Sequence, residues 1–138
     1  MTEEPNHLRT ARAIFAFERA AAADERVAAS RLFTRMFQEL APLVGERGVI
    51  AVFARSTVHA KKRYDGLAKL VITVESLDAV GETLRKHFGA VDVDHVAEGA
   101  AELCATFLEL MARLVGHHLI LQLIQRAWPE VDLMKELP

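Results

Sequence analysis

The residues that could do chemistry in this chain begin with two adjacent histidines, His117 and His118. Imidazole nitrogens bind transition metals, and His95 and Glu98 could add ligands from a neighbouring helix. Successive residues of a regular helix point about 100° apart, however, so these two imidazoles cannot bind the same ion. We therefore expect no metal site and interpret the pair as solvated or as part of a protein interface.

A basic cluster, Lys61, Lys62 and Arg63, follows His59 at the end of a predicted helix. Such a cluster can bind phosphate or an acidic partner, which makes it a candidate anion patch. Cations also stabilise a helix C-terminus, where the backbone carbonyls carry partial negative charge. Because no aromatic or glycine-rich segment accompanies the cluster, we favour the helix-end role and do not expect a nucleic-acid partner.

Cys104 is the only cysteine, and it lies on the apolar stripe of its predicted helix. With no nearby charge in sequence to activate the thiol, we expect it to behave as a small buried hydrophobe. The sequence also lacks a nucleophile elbow, a phosphate-binding loop, a paired-carboxylate signature and a Cys/His metal spacing. We therefore predict no catalytic residue and no cofactor, and we do not expect an enzyme.

Trp128, the only tryptophan, lies where the last predicted helix meets Pro129. We favour a core position in which the indole N–H caps a backbone carbonyl. The alternative is an anchor at a protein interface, because tryptophan is enriched in interface hot spots. In that case Trp128 would join His117 and His118 as candidate interface residues.

The bulk properties of the chain fit one globular domain over residues 1–138. A net charge of −2 gives no global field for nucleic acid or membrane surfaces. The most apolar region, residues 103–124, carries Glu109 and Arg113 at its middle. Each such charge would cost about 2.5–3.5 kcal/mol at a bilayer centre, so we expect no membrane span. One cysteine and an acidic N-terminus without a signal-like apolar run favour a cytoplasmic location.

Hydrophobic periodicity and helix start and stop residues predict five or six helices in an antiparallel all-α bundle. We expect Asn6, Asp24 and Ser76 at helix starts, Pro42 and Gly89 at helix ends, and an extended or frayed segment over residues 67–74. A break at Asp24 is favoured over one continuous helix. The predicted helices cover residues 7–23, 25–41, 46–64, 77–88, 94–115 and 117–128.

A shift of 71 residues aligns Ala29–Arg55 with Ala100–Arg126, and the peptide Leu-Val-Gly recurs at Gly45 and Gly116. Any two amphipathic helices aligned by their period would show the apolar matches. That alignment does not explain why the helix breaks at Gly45 and Gly116 fall at the same position. We therefore predict a pseudo-repeat, residues 25–64 and 94–128, in which two helix–Gly–helix hairpins form the core. The residues after each glycine differ, so a function carried by the repeat should depend on that difference.

The peptides "VGERGVIAVFAR" and "LILQLIQRAWPE" resemble segments of small all-helical bacterial domains of unknown function, in which a GERG helix start and an RxAWP helix end bracket the domain. The resemblance covers most of the chain after residue 25 and implies an all-helical fold in a bacterial cytosol. It carries no catalytic residue.

These patterns favour a non-enzymatic regulatory or protein-interaction domain that forms a homodimer, because the last hairpin is apolar on several faces. An alternative is a sensor that binds a small apolar ligand between the helices. A nucleic-acid-associated regulator using the anion patch is the weakest alternative. The residues expected to line the sensor's pocket are Phe33, Phe37, Phe53, Phe107 and Met111.

Overall fold

The computed structural model describes residues 6–73 and 75–133, and it confirms the all-helical prediction. No strand occurs among these residues, and none of their helices has the length and hydropathy needed to cross a membrane. A short 3₁₀ helix, Asp65–Leu67, follows the third α-helix. The described residues form six α-helices: α1 (Asn6–Ala21), α2 (Glu25–Val44), α3 (Glu46–Lys61), α4 (Leu77–Ala90), α5 (Val93–Val115) and α6 (His117–Ala127).

Helices α2 and α5 form the centre of the bundle. α5 packs against α1, α2, α3 and α6, whereas α4 packs against α2 and α3. Four phenylalanines meet where α2, α3 and α5 converge, with ring centroids 4.9 Å apart for Phe37 and Phe53 and 5.4 Å apart for Phe53 and Phe107. Edge-to-face contacts of this kind stabilise the core beyond the burial of ring surface.

The predicted break between the first two helices is present at Asp24. One carboxylate oxygen of Asp24 accepts hydrogen bonds from the amides of Arg26 and Val27, at 2.9 and 3.1 Å. These amides belong to the first turn of α2 and have no partner within the helix, so the side chain supplies one. Ser76 caps α4 in the same way through the amide of Ala79, at 3.1 Å.

Three predicted helix ends are wrong. α3 ends at Lys61 rather than at Tyr64. α2 passes through Pro42 to Val44, because the proline lies on the exposed side of the last turn and the Gly45 amide still bonds to the Ala41 carbonyl at 2.7 Å. Gly89 lies inside α4, which ends at Ala90. The guanidinium of Arg26 donates to the carbonyls of Phe88 and Val91 at 3.1 and 2.8 Å. Arg26 thereby donates hydrogen bonds to carbonyls at the end of α4, the role that backbone amides have in a C-terminal glycine turn.

The two turns predicted from the repeat have the same hydrogen bonds. Gly45 and Gly116 adopt φ angles of 82° and 104°, which side chains larger than glycine rarely allow. The Gly116 amide donates to the Ala112 carbonyl at 2.8 Å, as the Gly45 amide does to Ala41. The helices after the turns differ in length, at 16 residues in α3 and 11 in α6.

A buried carboxylate joins α1, α2 and α6. Glu18 is 1% exposed and accepts hydrogen bonds from Arg31 Nε at 2.9 Å and from the indole N–H of Trp128 at 2.8 Å. Arg35 lies 3.3 Å from the same carboxylate, and its guanidinium stacks over the Trp128 ring with 5.7 Å to the centroid. The indole therefore bonds to a carboxylate rather than to the backbone carbonyl that we expected.

Candidate functional site: two surfaces at the second glycine turn

The residue after each turn glycine has a different role in the structure. Glu46 accepts a hydrogen bond from the amide of Leu77 at 3.0 Å and so caps the start of α4. His117, at the corresponding position of the second turn, contacts His7 at the start of α1 instead, with ring centroids 4.8 Å apart. The first turn thus stabilises the fold, whereas the second brings two titratable rings together beside a cleft.

This cleft, which we call the histidine cleft, has a volume of about 670 Å³. α5 forms its floor, the start of α1 and the residue Arg63 beyond α3 form its two sides, and the start of α6 closes one end. A volume of this size is typical of small-molecule sites. Its lining residues are His7, Leu8, Arg63, Glu102, Ala105, Glu109, Ala112, Arg113 and His117.

The two carboxylates on the floor of the histidine cleft differ in their partners. Glu109 lies between two guanidinium groups, with Arg113 at 3.0 Å and Arg63 at 3.8 Å. Glu102 lies two turns earlier on α5, is half-buried, and forms no hydrogen bond or ion pair through its carboxylate with the residues described. One end of the cleft therefore carries an excess of positive charge and the other a single negative charge.

Burial lowers the pKa of His7 from its ordinary value, and the neighbouring His117 lowers it further, while Glu109 acts in the opposite direction. A protonated imidazole in this position would lose hydration and would face a second imidazole at the positive end of α6. At neutral pH the neutral form of His7 is therefore favoured, in which one ring nitrogen donates a hydrogen bond and the other accepts one.

A second surface lies on the other side of Arg113, between α3 and α5. This α3–α5 groove has a volume of about 400 Å³ and mixes apolar and basic side chains. Leu114 is 60% exposed beside it, and Val58 on α3 is 55% exposed one turn from Arg55. The groove is lined by Val52, Arg55, His59, Leu110, Arg113 and Leu114.

The charge of α3 is strongly biased. Between Glu46 and Asp65 the sequence contains no aspartate or glutamate, although the whole chain has an acidic excess of two. The basic residues of this segment are Arg47, Arg55, Lys61, Lys62 and Arg63, with His59 among them. The outer face of α3 is therefore a local positive patch, which net charge does not reveal.

The structure separates the residues of the predicted anion patch. Arg63 lines the histidine cleft, whereas Lys62 is exposed near the end of α3. Lys61 lies near His87 instead. Burial lowers the pKa of that imidazole most, a hydrogen bond with the backbone of Gly66 raises it, and the charge of Lys61 makes the smallest contribution and lowers it.

The candidate interface residues also lie apart. His118 is exposed and contacts the Gln122 amide nitrogen at 3.3 Å. His117 faces the cleft, and Trp128 is fully buried at the opposite end of α6. Trp128 thus occupies the core position that we favoured, and these three residues do not share one surface.

The five residues expected to line an apolar pocket come together in the core. Phe33, Phe37, Phe53, Phe107 and Met111 are each at most 4% exposed. The phenylalanine rings contact one another directly, with centroids 4.9–6.2 Å apart. Direct ring contacts fill the position where the sequence suggested a ligand, so these residues act as a packed core in this structure.

The possible metal ligands lie far from one another. His95 is near the start of α5 and His117 follows its end, so α5 places about 30 Å between them. Glu98 pairs with Arg12 at 3.3 Å. Among the residues that the structure describes, no group of three or more His, Cys, Asp or Glu side chains could hold a metal ion.

Sequence reasoning missed His7, Glu102, Glu109 and Arg113 as site residues. Glu102, Glu109 and Arg113 recur at helical spacing beside Ala105 and Ala112, and this alternation of charged and small residues on one face of α5 was the available signal. The chain matches no protein-family model, no curated protein and no solved structure.

Proposed function

We propose that this protein is a non-enzymatic interaction domain that binds an acidic amphipathic helix in the α3–α5 groove. The observation that carries the proposal is the exposure of Leu114, 60%, beside a groove whose polar side chains are Arg55, His59 and Arg113 and include no acid. The groove thus offers both an apolar floor and a positive rim.

The apolar part of the groove provides the driving force. Val52 and Leu110 are half-buried between the helices, and Leu114 stands at the edge. Full burial of one such side chain contributes about 1.5–3 kcal/mol. A partner helix that places two or three apolar side chains over these residues would gain binding energy without rearranging the bundle.

The charge of the groove favours an acidic partner over a second copy of this chain. In a two-fold symmetric dimer the same patch meets itself, so Arg55 and His59 would face the Arg55 and His59 of the other copy. Like charges brought together in this way oppose association. Of the cations in the groove, Arg113 has a carboxylate partner, Glu109, at 3.0 Å.

The apolar floor also distinguishes an acidic helix from a nucleic acid. Phosphate backbones are bound by basic and polar groups, and the exposed Leu114 and Val58 would gain little from them. We place this function in the cytoplasm as a regulatory interaction. The buried free thiol of Cys104 is compatible with that location.

Isothermal titration calorimetry with two designed helical peptides tests the proposal. Both peptides carry leucines on one face, and the other face carries glutamates in the first and lysines in the second. We expect the glutamate peptide to bind and the lysine peptide to bind at least tenfold more weakly, a difference of about 1.4 kcal/mol. Equal affinities would overturn the assignment of an acidic partner.

Variants locate the binding surface. Leu114→Ser should weaken binding of the glutamate peptide about tenfold, because it removes exposed apolar area from the groove. Leu43→Ser is the matched control, since Leu43 occupies the corresponding position before the first turn and is 41% exposed. An equal effect of both substitutions would contradict the proposed surface.

The oligomeric state is measured on the same protein by native mass spectrometry. A monomer at micromolar concentration supports an acidic partner. A dimer that Leu114→Ser dissociates would replace that partner with a second copy, as we expected from the sequence. Salt-sensitive binding of DNA or RNA that Arg55→Glu abolishes would instead assign the groove to nucleic acid and overturn the proposal.

A further inference from the structure

We infer that the histidine cleft binds a short zwitterionic ligand, one with a free ammonium group at one end and a carboxylate about 10 Å away, as in an apolar tripeptide with free ends. The cleft and the α3–α5 groove share Arg113, but Glu102 lines the cleft alone, so variants of Glu102 test this inference separately from the acidic helix. The cleft itself supplies three elements of recognition.

The first element is a carboxylate that has no cationic partner among the described residues. Glu102 is half-buried on the cleft floor, and no described residue donates a hydrogen bond to its carboxylate or forms an ion pair with it. Partial burial weakens the hydration of such a group, so a cation is favoured beside it. Of the charges that a small ligand can carry, an ammonium group satisfies Glu102 with a charge-assisted hydrogen bond.

The second element is a cluster of donors at the other end of the cleft. Arg63 and Arg113 share one carboxylate, that of Glu109, and the contact with Arg63 is long at 3.8 Å. Two guanidinium groups and one carboxylate leave a positive excess, and His7 and His117 add ring donors beside it. This end of the cleft therefore favours the carboxylate of a ligand.

The third element is the spacing of the two ends. Arg63 and Arg113 both lie within 3.8 Å of Glu109, which follows Glu102 by seven residues on α5. The basic end of the cleft is therefore about 10 Å from Glu102 along the helix axis. An extended chain spans about 3.3–3.6 Å per residue, so the two termini of a tripeptide match this distance. The floor between the charges is formed by Ala105, whose small side chain leaves room for apolar ligand groups, and Leu8 borders the same space.

Other ligand classes fit the cleft less well. A simple anion would satisfy the arginines but would leave Glu102 half-buried and without a cation. A metal ion would need three or more ligating side chains, and the described residues provide no such group. A ligand with charges of both signs satisfies both ends of the cleft at once.

Calorimetric titration of the purified protein with a panel of tripeptides of alanine, valine and leucine tests the inference. We expect binding of at least one member at millimolar concentration or below. Acetylation of the amino end and amidation of the carboxyl end should each weaken binding about tenfold or more, since each removes one charge-assisted contact. Failure of every member to bind, or equal binding of the blocked peptides, would overturn the inference.

Two variants connect the binding to the cleft. Glu102→Gln should abolish the discrimination between free and acetylated amino ends, because the uncharged amide no longer favours an ammonium group. Ala105→Phe should abolish binding by filling the floor, and a retained cooperative thermal transition would show that this variant is folded. Discrimination that survives Glu102→Gln would overturn the assigned orientation of the ligand.

The matched control for the first variant lies on the same helix. Glu98 is one turn from Glu102, is exposed, and pairs with Arg12 outside the cleft lining. Glu98→Gln should leave both the affinity and the discrimination unchanged. If it reduces them as much as Glu102→Gln does, the ligand is bound elsewhere on α5 and the inference is wrong.

Discussion

Replacing Trp128 with phenylalanine tests how the end of α6 is held against α1 and α2. Trp128 is fully buried, and its indole N–H donates to the carboxylate of Glu18 at 2.8 Å. The substitution keeps an aromatic ring but removes the donor and part of the ring volume. Glu18 retains Arg31 at 2.9 Å and Arg35 at 3.3 Å, so its charge remains partly compensated.

The expected loss of stability follows from these contacts. A hydrogen bond to a charged group contributes about 1.5–3 kcal/mol. A void of at least methyl size adds about 1 kcal/mol. Trp128→Phe should therefore lower the free energy of unfolding by about 2.5–4 kcal/mol. Because native domains are stable by about 5–15 kcal/mol, this is a large fraction of the total.

The matched substitution at the acceptor of this hydrogen bond is Glu18→Gln. It keeps the shape of the side chain and an oxygen that can accept a hydrogen bond from the indole N–H. It removes the ion pairs with Arg31 and Arg35, whose side chains are 47% and 36% exposed. Solvent screens charges at this exposure, so we expect a smaller loss of about 1–2 kcal/mol. The double variant should then show a coupling energy of about 0.5–2 kcal/mol between the two sites.

Urea unfolding followed by far-ultraviolet circular dichroism measures all three variants, since this signal does not depend on the tryptophan. Glu39→Gln serves as the control, because Glu39 pairs with the exposed Arg126 at 3.5 Å and should contribute less than about 1 kcal/mol. Additive effects of Trp128→Phe and Glu18→Gln would refute the reasoning, since they would show that the two side chains are energetically independent.

Three further predictions concern His7, the glycines and Cys104. Burial and His117 lower the pKa of His7, so the unfolded chain binds a proton at a higher pH than the folded chain does, and stability should fall as the pH drops below about 6.5. His7→Gln should make this fall in stability shallower when urea unfolding is measured across that pH range. An unchanged slope of stability against pH would contradict the lowered pKa of His7. Gly116→Ala should lower stability by about 1–2 kcal/mol, because the φ angle of Gly116 is 104°. Gly81 lies inside α4 with open space around it, so Gly81→Ala should raise stability by about 0.5–1 kcal/mol. Equal effects of the two substitutions in thermal unfolding would show that backbone strain is not the cause. Burial raises the pKa of the Cys104 thiol, so a thiol reagent should modify this residue only after urea unfolds the protein, and rapid reaction of the native chain would contradict its burial.

Local interactions explain why much of the fold could be predicted from the sequence. Asp24 starts α2 through bonds to amides two and three residues away, and Gly116 turns the chain because its own φ is positive. The apolar stripe that includes Leu32, Phe33 and Met36 is buried as its helical period requires. Each of these features depends on residues within one or two helical turns.

The helix end predicted at Gly89 was wrong for a reason that is not local. Arg26, more than sixty residues earlier in the chain, donates to the carbonyls of Phe88 and Val91 and so allows α4 to continue to Ala90. A sequence pattern read along one helix contains no information about a donor that arrives from another.

The candidate sites depend on tertiary structure in the same way. His7 meets His117, and Glu18 meets Trp128, and each of these pairs is 110 residues apart. The sequence determined which faces of the helices are apolar and where the chain turns, since periodicity and backbone conformation are local properties. Only the packing of α1 against α5 and α6 decided which polar side chains meet, because that depends on the angles and axial positions at which whole helices pack.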